Sequence, residues 1–245
     1  MDYVIEADRL CKNYGSRHRV LKEFDIHVPK GSIYGLIGKN GAGKTTFMRI
    51  ICGVQPLTSG EFSLFGAKSS DTNAVRKARE RISAVIESPS FYPHMSAKDN
   101  LIQQYTLLGI PSTEGIDELL ELVGLLNTGK KKVKDFSLGM KQRLGIAMAL
   151  AGSPDLIILD EPMNRLEPEG VVELRETILR LNKERDITFV ISSHILNELS
   201  KIATDYGFIR DGKLIEEITA RDLEANLSSS SHRTLEDYFL DLMNR

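Results

Sequence analysis

The segment GKNGAGKT, from Gly38 to Thr45, constrains the fold more than any other part of the sequence. It matches the pattern G-x-x-x-x-G-K-[ST] and lies between an apolar, strand-like run and a helical segment, the context that this motif requires. Glycines at such a turn let backbone N–H groups converge on an anion, and the helix N-terminus adds partial positive charge there. The sequence therefore predicts a strand, a phosphate-binding loop and a helix, in that order.

The phosphate loop supplies most of the predicted nucleotide contacts. Lys44 is expected to reach the β- and γ-phosphates, and the Thr45 hydroxyl is expected to ligate Mg²⁺. The alternative is a chance glycine-rich turn, which the flanking segments disfavour. The predicted contacts of this loop are Gly38, Asn40, Gly41, Ala42, Gly43, Lys44, Thr45 and Thr46.

Three further polar residues follow buried strands. The apolar strand in LIILDEP ends in Asp160 and Glu161, and His194 follows TFVISS. At the carboxyl end of a strand beside a phosphate loop, Asp160 is expected to hold Mg²⁺ and Glu161 to polarise an attacking water. The His194 imidazole is expected to lie at the strand end where it can contact the γ-phosphate. The alternatives are a helix start for the two acids and a capped loop position for the histidine.

The order of apolar patterns predicts one α/β domain with a helical insertion. Strands are expected at Val4–Leu10, Asp25–Val28, Ser32–Ile37, Glu61–Phe65, Ile82–Ile86, 156–160, 188–193, Tyr206–Arg210 and Lys213–Ile218, and KNYGSRH is expected to be a turn. The predicted α/β core covers residues 1–95 and 152–219, and the helical subdomain covers 96–151. Ser96, with Asp99 three residues later, predicts a capping box at the start of this subdomain. A serine run, Ser228 to Ser231, precedes a final amphipathic helix in a C-terminal appendage, residues 220–245.

Composition excludes several classes of function. The chain has 245 residues, with 32 basic and 34 acidic side chains. This net charge of −2 gives no reason to expect nucleic acid as the main ligand. Two cysteines are too few for a disulfide scaffold or a zinc site, which favours a reducing, cytosolic setting. No apolar run is long enough to span a membrane, and the N-terminus does not read as a signal peptide.

The segment FSLGMKQRLGIAMALAGSPDLIILDEP resembles the signature motif and following helix of ATP-binding cassette (ABC) ATPases. The resemblance covers roughly residues 2 to 220. It implies a phosphate-loop NTPase with a RecA-like core, an inserted helical subdomain and an N-terminal antiparallel β region. It also implies that two cassettes pack head to tail, so that Ser137 and Gly139 contact the partner's nucleotide. Tyr14 matches the aromatic residue that stacks on adenine in the family.

The chain departs from the family pattern at several positions. Glu87 stands where the family has a glutamine that touches Mg²⁺ and the membrane partner. The chain resembles exporters that protect bacteria from lantibiotic or bacitracin-type peptides. It does so at Glu87, at the following S-P and Tyr92-Pro93, and at the closing L-E-D-Y-F-L-D-L-M. The alternative is drift from Gln to Glu in a transporter of other cargo. Leu138, Met140, Arg165 and Glu167 also replace residues of the usual motifs, with Arg165 at a glycine position.

The resemblance implies an ATPase subunit with ATP and Mg²⁺ as ligands. Its expected catalytic residues are Lys44, Glu161 and His194, and its expected metal contacts are Thr45, Glu87 and Asp160. The expected partners are two integral membrane permease subunits and a second cassette, most simply a homodimer formed with ATP, at the inner face of the cell membrane. The alternatives are a soluble ABC ATPase that remodels assemblies or ribosomes and a cassette that binds ATP but barely hydrolyses it.

Overall fold

A computed structural model of the chain describes residues 2–15, 18–87, 89–229 and 234–244. Ser88, the serine of the S-P pair after Glu87, lies outside the described residues. Ser230 and Ser231 of the serine run also lie outside them. Within the described residues, no helix is both long enough and apolar enough to cross a lipid bilayer.

The strands form a four-stranded and a six-stranded sheet. They are β1 (Tyr3–Tyr14), β2 (His18–Pro29), β3 (Ile33–Gly38), β4 (Ser59–Leu64), β5 (Ala67–Lys68), β6 (Ile82–Val85), β7 (Leu156–Asp160), β8 (Thr188–Ser193), β9 (Asp205–Arg210) and β10 (Lys213–Thr219). The smaller sheet is antiparallel, in the order β2-β1-β4-β5. The larger has the order β10-β9-β3-β8-β7-β6, and only β10 runs antiparallel to its neighbour.

The helices cover both sheets and fill the predicted insertion. They are α1 (Lys44–Ile51), α2 (Thr72–Arg79), α3 (Ala97–Leu107), α4 (Ile116–Leu122), α5 (Leu138–Leu150), α6 (Pro168–Arg185), α7 (Leu196–Leu199), α8 (Ala220–Ser229) and α9 (Leu235–Asn244), with 3-10 turns at Leu126–Thr128 and Val133–Asp135. The predicted α/β class is confirmed: α3, α4 and α5 lie between β6 and β7, and the antiparallel sheet begins the chain. The division into core, helical subdomain and appendage stays a prediction.

The central strands of the large sheet bury side chains on both faces. Every residue of β3, β7 and β8 is buried. Within β7 the side chains alternate: Leu156 and Ile158 pack toward the N-terminal sheet and α1, whereas Ile157 and Leu159 pack toward the helices. The sheet is thus covered on both faces, as parallel sheets require. The carboxyl ends of β3, β8 and β7 meet at one edge, where ligands bind in open α/β sheets.

The N-terminal hairpin is longer than its pattern predicts. β1 extends to Tyr14 and β2 begins at His18, so the prediction of a KNYGSRH turn is wrong for its first three residues and for His18. The pairing of β1 with β2 contains four register shifts. Each shift interrupts the alternation of buried and exposed side chains on which the sequence prediction depends. The hairpin carries Tyr14 to the edge of the phosphate loop.

Candidate nucleotide-binding site

The phosphate loop connects the end of β3 to the start of α1. β3 ends at Gly38 and α1 begins at Lys44, so the predicted order of strand, loop and helix is confirmed. Gly41 and Gly43 have φ angles of 80° and 116°, a region that residues with a Cβ atom rarely adopt. A Cβ at Gly43 would also lie 2.7 Å from Leu21 Cδ2. Glycine is therefore needed at both positions to shape the loop.

The Lys44 side chain lies within the loop that precedes it. It is only 6% exposed, and its ammonium group donates a hydrogen bond of 2.6 Å to the Gly38 carbonyl. The Lys44 Nζ atom also lies 3.5 Å from Glu161 Oε1. A buried ammonium needs such partners, because burial without them disfavours its charge. The cation is thus held at the loop, beside the carboxylate that follows β7.

A cavity of about 330 Å³ opens beside the loop. One side is formed by Tyr14, whose ring is partly exposed and whose hydroxyl contacts the Gln55 side chain. The opposite side is formed by the loop and the two acids after β7. The lining residues are Tyr14, His18, Val20, Lys39, Asn40, Gly41, Ala42, Gly43, Lys44, Thr45, Thr46, Asp160 and Glu161. The cavity therefore offers an aromatic surface and a phosphate loop within one concave site.

Asp160 joins the loop to the large sheet. Its Oδ2 atom accepts a hydrogen bond of 2.7 Å from the Thr45 hydroxyl, and its Oδ1 atom accepts one of 2.5 Å from the Ser192 hydroxyl. Thr45 and Asp160 are 115 positions apart in the chain. The contact arises because β3 and β7 end at the same edge of the sheet, on either side of β8.

Glu161 has an unusual backbone and two charged or titratable neighbours. Its φ angle is 51°, and its N–H donates a hydrogen bond of 2.9 Å to Ser192 Oγ. Its Oε2 atom lies 2.6 Å from His194 Nδ1, while Oε1 faces Lys44. Strained non-glycine residues of this kind concentrate at functional sites. The surrounding contacts hold the Glu161 carboxylate between the cation of the loop and the imidazole after β8.

The oxygen atoms at this edge suit a magnesium ion. Thr45 Oγ1 and Asp160 Oδ2 are neighbouring hard oxygen donors beside the phosphate loop. Glu161 Oε1 is buried and lies 3.5 Å from the Lys44 ammonium, but among the described residues it accepts no hydrogen bond. An unsatisfied buried carboxylate oxygen is costly unless a ligand or water completes its contacts. The donor set therefore fits a hydrated divalent cation bound together with phosphates.

The structure brings most of the predicted site residues together, but not all of them. Ser137 and Gly139 do not line the cavity; Ser137 caps the N-terminus of α5, where its Oγ accepts a hydrogen bond from the Met140 N–H. Glu87 does not line the cavity either. Its side chain is 66% exposed and pairs with Arg49 at the end of α1.

Two residues that contact predicted site residues have no sequence prediction themselves. Ser192 bonds both the Asp160 carboxylate and the Glu161 backbone, and Arg49 pairs with Glu87. The signal for Ser192 was a pair of polar residues at the end of an otherwise apolar strand, TFVISS. No comparable signal marks Arg49, since its partner is 38 residues away.

The fold and the loop define a nucleotide-binding protein of the phosphate-loop α/β class. Residues 21–164 match the family model described as ABC transporter, which covers more than half of the chain. The chain therefore belongs to the ABC transporter family, whose ATPase domains bind ATP. The resemblance seen in the sequence is confirmed.

Relatives in the family include ATP-binding proteins named for bacitracin transport and for lantibiotic transport. The chain is 46% identical to the bacitracin transport ATP-binding protein BcrA of Bacillus licheniformis, over 89% of this chain and 70% of that protein. It is also 46% identical to the lantibiotic transport ATP-binding protein SrtF of Streptococcus pyogenes, over 87% of this chain and 90% of that protein. Both are proteins of the predicted subgroup.

Solved structures of ABC cassettes share the fold. CbiO1 from Clostridium perfringens superposes with a TM-score of 0.83 at 23% identity, covering 94% of this chain and 93% of that one. A bacterial ABC transporter cassette solved as a dimer has a TM-score of 0.77 at 24% identity, covering 89% and 99%. At these identities the similarity establishes the fold alone.

Proposed function

We propose that this chain hydrolyses ATP to power a membrane transporter that exports, or protects the cell against, peptide antibiotics of the bacitracin or lantibiotic class. The observation that carries the hydrolytic part is the position of the Glu161 carboxylate, which contacts Lys44 and His194 beside the cavity. The cargo class is supported by relatives at 46% identity that are named for bacitracin and lantibiotic transport.

In this proposal the triphosphate lies along the phosphate loop with its adenine against Tyr14. Backbone N–H groups of the loop and the Lys44 ammonium contact the phosphate oxygens. Thr45 and Asp160 would hold Mg²⁺, which offsets phosphate charge when it is bound. Because Lys44 already lies beside Glu161 Oε1, a bound γ-phosphate would also come close to that carboxylate.

The hydrolytic step is an in-line attack of water on the γ-phosphorus. The bond from the γ-phosphorus to the bridging oxygen breaks, ADP leaves with that oxygen, and the water loses a proton. Glu161 orients the water and accepts this proton, while His194 holds the carboxylate and contacts the γ-phosphate. The Ser192 hydroxyl contacts both the Asp160 carboxylate and the Glu161 N–H, and it thereby fixes the positions of these two acids relative to each other.

A second cassette completes the nucleotide site in this proposal. Ser137 lies at the exposed N-terminus of α5, outside the cavity of its own chain, and the neighbouring Leu138 side chain is exposed. Ser137 and the Gly139 N–H, at the positive end of the α5 dipole, would contact the γ-phosphate of the partner. A bacterial cassette with the same fold has been solved as a dimer.

We further propose that two membrane permease subunits each bind a cassette at a groove beside β6. The groove has a volume of about 530 Å³ and lies between β6 and the helices α3 and α5. Its rim includes Val54 and Leu108, two apolar side chains that are 68% and 48% exposed. Burial raises the pKa of the Cys52 thiol to about 12, so this lining group stays neutral. Docking there would place the chain at the inner face of the cell membrane.

Glu87 precedes the segment that borders this groove. Pro89 packs on α5 so closely that a Cβ at Gly145 would lie 2.7 Å from Pro89 Cγ. The Glu87 carboxylate is bound to Arg49 of the phosphate-loop helix. This connection supports a role for Glu87 in linking the nucleotide site to the permease, in addition to the proposed metal contact.

The test is the substitution Glu87→Gln in cells that carry the complete transporter. We expect ATPase activity of the purified chain to stay within about threefold of the original, or about 0.7 kcal/mol of barrier. Resistance to bacitracin and to a lantibiotic should fall in the cells. Lys44→Ala is the control for complete loss, because it removes the buried cation at the phosphates.

Three outcomes separate the parts of this proposal. Equal loss of ATPase activity and resistance with Glu87→Gln would show that Glu87 takes part in ATP hydrolysis itself. No loss of either would make it a neutral replacement. Full resistance to both peptides with Lys44→Ala would contradict the proposed cargo while leaving the ATPase assignment to be tested on the purified chain.

A further inference from the structure

The short turn that follows His194 is held by tertiary contacts, with Leu196 and Leu199 buried in the core. α7 begins two residues after His194, at Leu196, and has a single turn without a side-chain cap at Ile195. Leu199 packs so closely on β3 that a Cβ at Gly35 would lie 2.7 Å from Leu199 Cδ2. A helix this short is not stable by itself, so its position depends on tertiary contacts.

One ion pair connects this turn to the long helix α6. Arg175 Nη1 lies 2.8 Å from Glu198 Oε2, and the two side chains are only 19% and 23% exposed. The second carboxylate oxygen, Glu198 Oε1, is 2.6 Å from Lys201 Nζ. Lys201 is half exposed and lies just beyond α7, in the same local segment. Of these two cations, only Arg175 joins Glu198 to another long element.

α6 follows the loop that contains Glu161. It begins at Pro168, seven positions after Glu161, and Val171 and Leu174 in its first two turns are buried in the core. Glu161 and His194 therefore contact each other at one end of two segments, while Arg175 and Glu198 contact each other further along. The ion pair thus closes a loop of contacts that also contains the contact between the Glu161 carboxylate and the His194 imidazole.

We propose that Arg175 is a positioning residue for ATP hydrolysis, acting through Glu198 to hold His194 against Glu161. This inference rests on the proposed hydrolytic function. Arg175 suits the role because its planar guanidinium loses little conformational freedom per hydrogen bond, and because the partly buried Glu198 carboxylate would lose its interhelical partner without it. α7 would then shift, and His194 with it, but the phosphate loop would not.

The test compares three variants of the purified full chain. Arg175→Met keeps the apolar stem but removes the cation, and we expect kcat for ATP to fall about tenfold with KM within about twofold. Arg175→Lys should recover most of kcat, because a cation returns to the same position. Lys201→Met is the matched control: it removes the other cation from Glu198 without touching the contact to α6, and kcat should not change.

A second readout does not depend on hydrolysis. The imidazole NMR signal of His194, assigned from its loss in His194→Gln, should shift in nucleotide-free Arg175→Met and keep its position in Lys201→Met. A lower melting temperature of Arg175→Met with unchanged kcat and an unchanged His194 signal would overturn the proposal. If the chain showed no hydrolysis at all, the proposed function would fail, and the His194 signal would still report whether Arg175 positions that residue.

Discussion

Glu161 and Arg165 both occupy the left-handed region of backbone space, with φ angles of 51° and 63°, in the loop between β7 and α6. For residues with a Cβ atom this conformation costs about 1 to 3 kcal/mol, and it persists only where neighbouring contacts impose it. Glu161 has such contacts, since its N–H is bonded to Ser192 and its carboxylate to His194. In the proposed mechanism this strain places a carboxylate where it can act on water.

Arg165 stands at the position where the ABC family usually has glycine. Arg165→Gly should raise the free energy of unfolding by up to about 1 kcal/mol, because glycine adopts a positive φ without the Cβ clash. Urea unfolding measures this change. Glu176→Gly, in the interior of α6 and exposed, should lower stability by about 1 kcal/mol instead. A loss of stability with Arg165→Gly would show that the arginine side chain stabilises the loop by more than its backbone costs.

Glu167 is the N-cap of α6, but its side chain makes no capping hydrogen bond. Glu167→Asp should stabilise the chain by about 0.5 to 1 kcal/mol, because the shorter carboxylate reaches the free N–H groups of the first turn. Thermal unfolding would detect the gain, and Glu167→Ala should be close to neutral by comparison. A large loss of stability with Glu167→Ala would mean that the Glu167 carboxylate stabilises the chain by a contact other than helix capping.

At the scale of the elements, α3 begins with the capping box that its sequence predicts. The Ser96 hydroxyl accepts a hydrogen bond from the Asp99 N–H, and Asp99 Oδ2 accepts hydrogen bonds from the N–H and the hydroxyl of Ser96. These hydrogen bonds, with that of the Ser96 hydroxyl foremost, lower the pKa of the Asp99 carboxyl. A carboxylate whose pKa is lowered by folding stabilises the protein above its unfolded pKa.

Asp99→Asn should therefore lower the melting temperature at pH 7 by about 2 to 4 °C, the value expected for one cap of ~1 kcal/mol in a chain of this size. The difference between the two proteins should shrink as the pH falls through the lowered pKa of Asp99, where the carboxyl becomes protonated. Differential scanning calorimetry at several pH values measures both. A difference that does not change with pH would show that the Asp99 charge does not contribute to the cap.

The sequence predicted the elements whose signals are local. The phosphate loop, the buried strand before Asp160 and the capping box of α3 each depend on residues within a few positions, and all three are present. The bounds of the first hairpin were not predictable, because its register shifts depend on cross-strand pairing. Ser192 and Arg175 were not predictable either, since each acts on a residue more than twenty positions away.

At the scale of the whole molecule, the topology assembles the site. β3 and β7 lie on either side of β8, so the phosphate loop, the two acids and His194 all follow the carboxyl ends of neighbouring parallel strands. Ser137 lies elsewhere, at the start of α5 in the helical region between β6 and β7. One chain thus presents two separate surfaces, which the proposed head-to-tail dimer would bring to the same nucleotide.

The central claim is that Glu161 accepts the proton of the attacking water at this site. The most direct measurement is phosphate release by the purified chain and by Glu161→Gln, with ATP affinity measured on the same samples. Because an amide cannot accept that proton, the variant should bind ATP as before, hydrolyse it about a hundred- to ten-thousandfold more slowly, and elute as a dimer with ATP. Hydrolysis by Glu161→Gln within about threefold of the original rate would contradict the account.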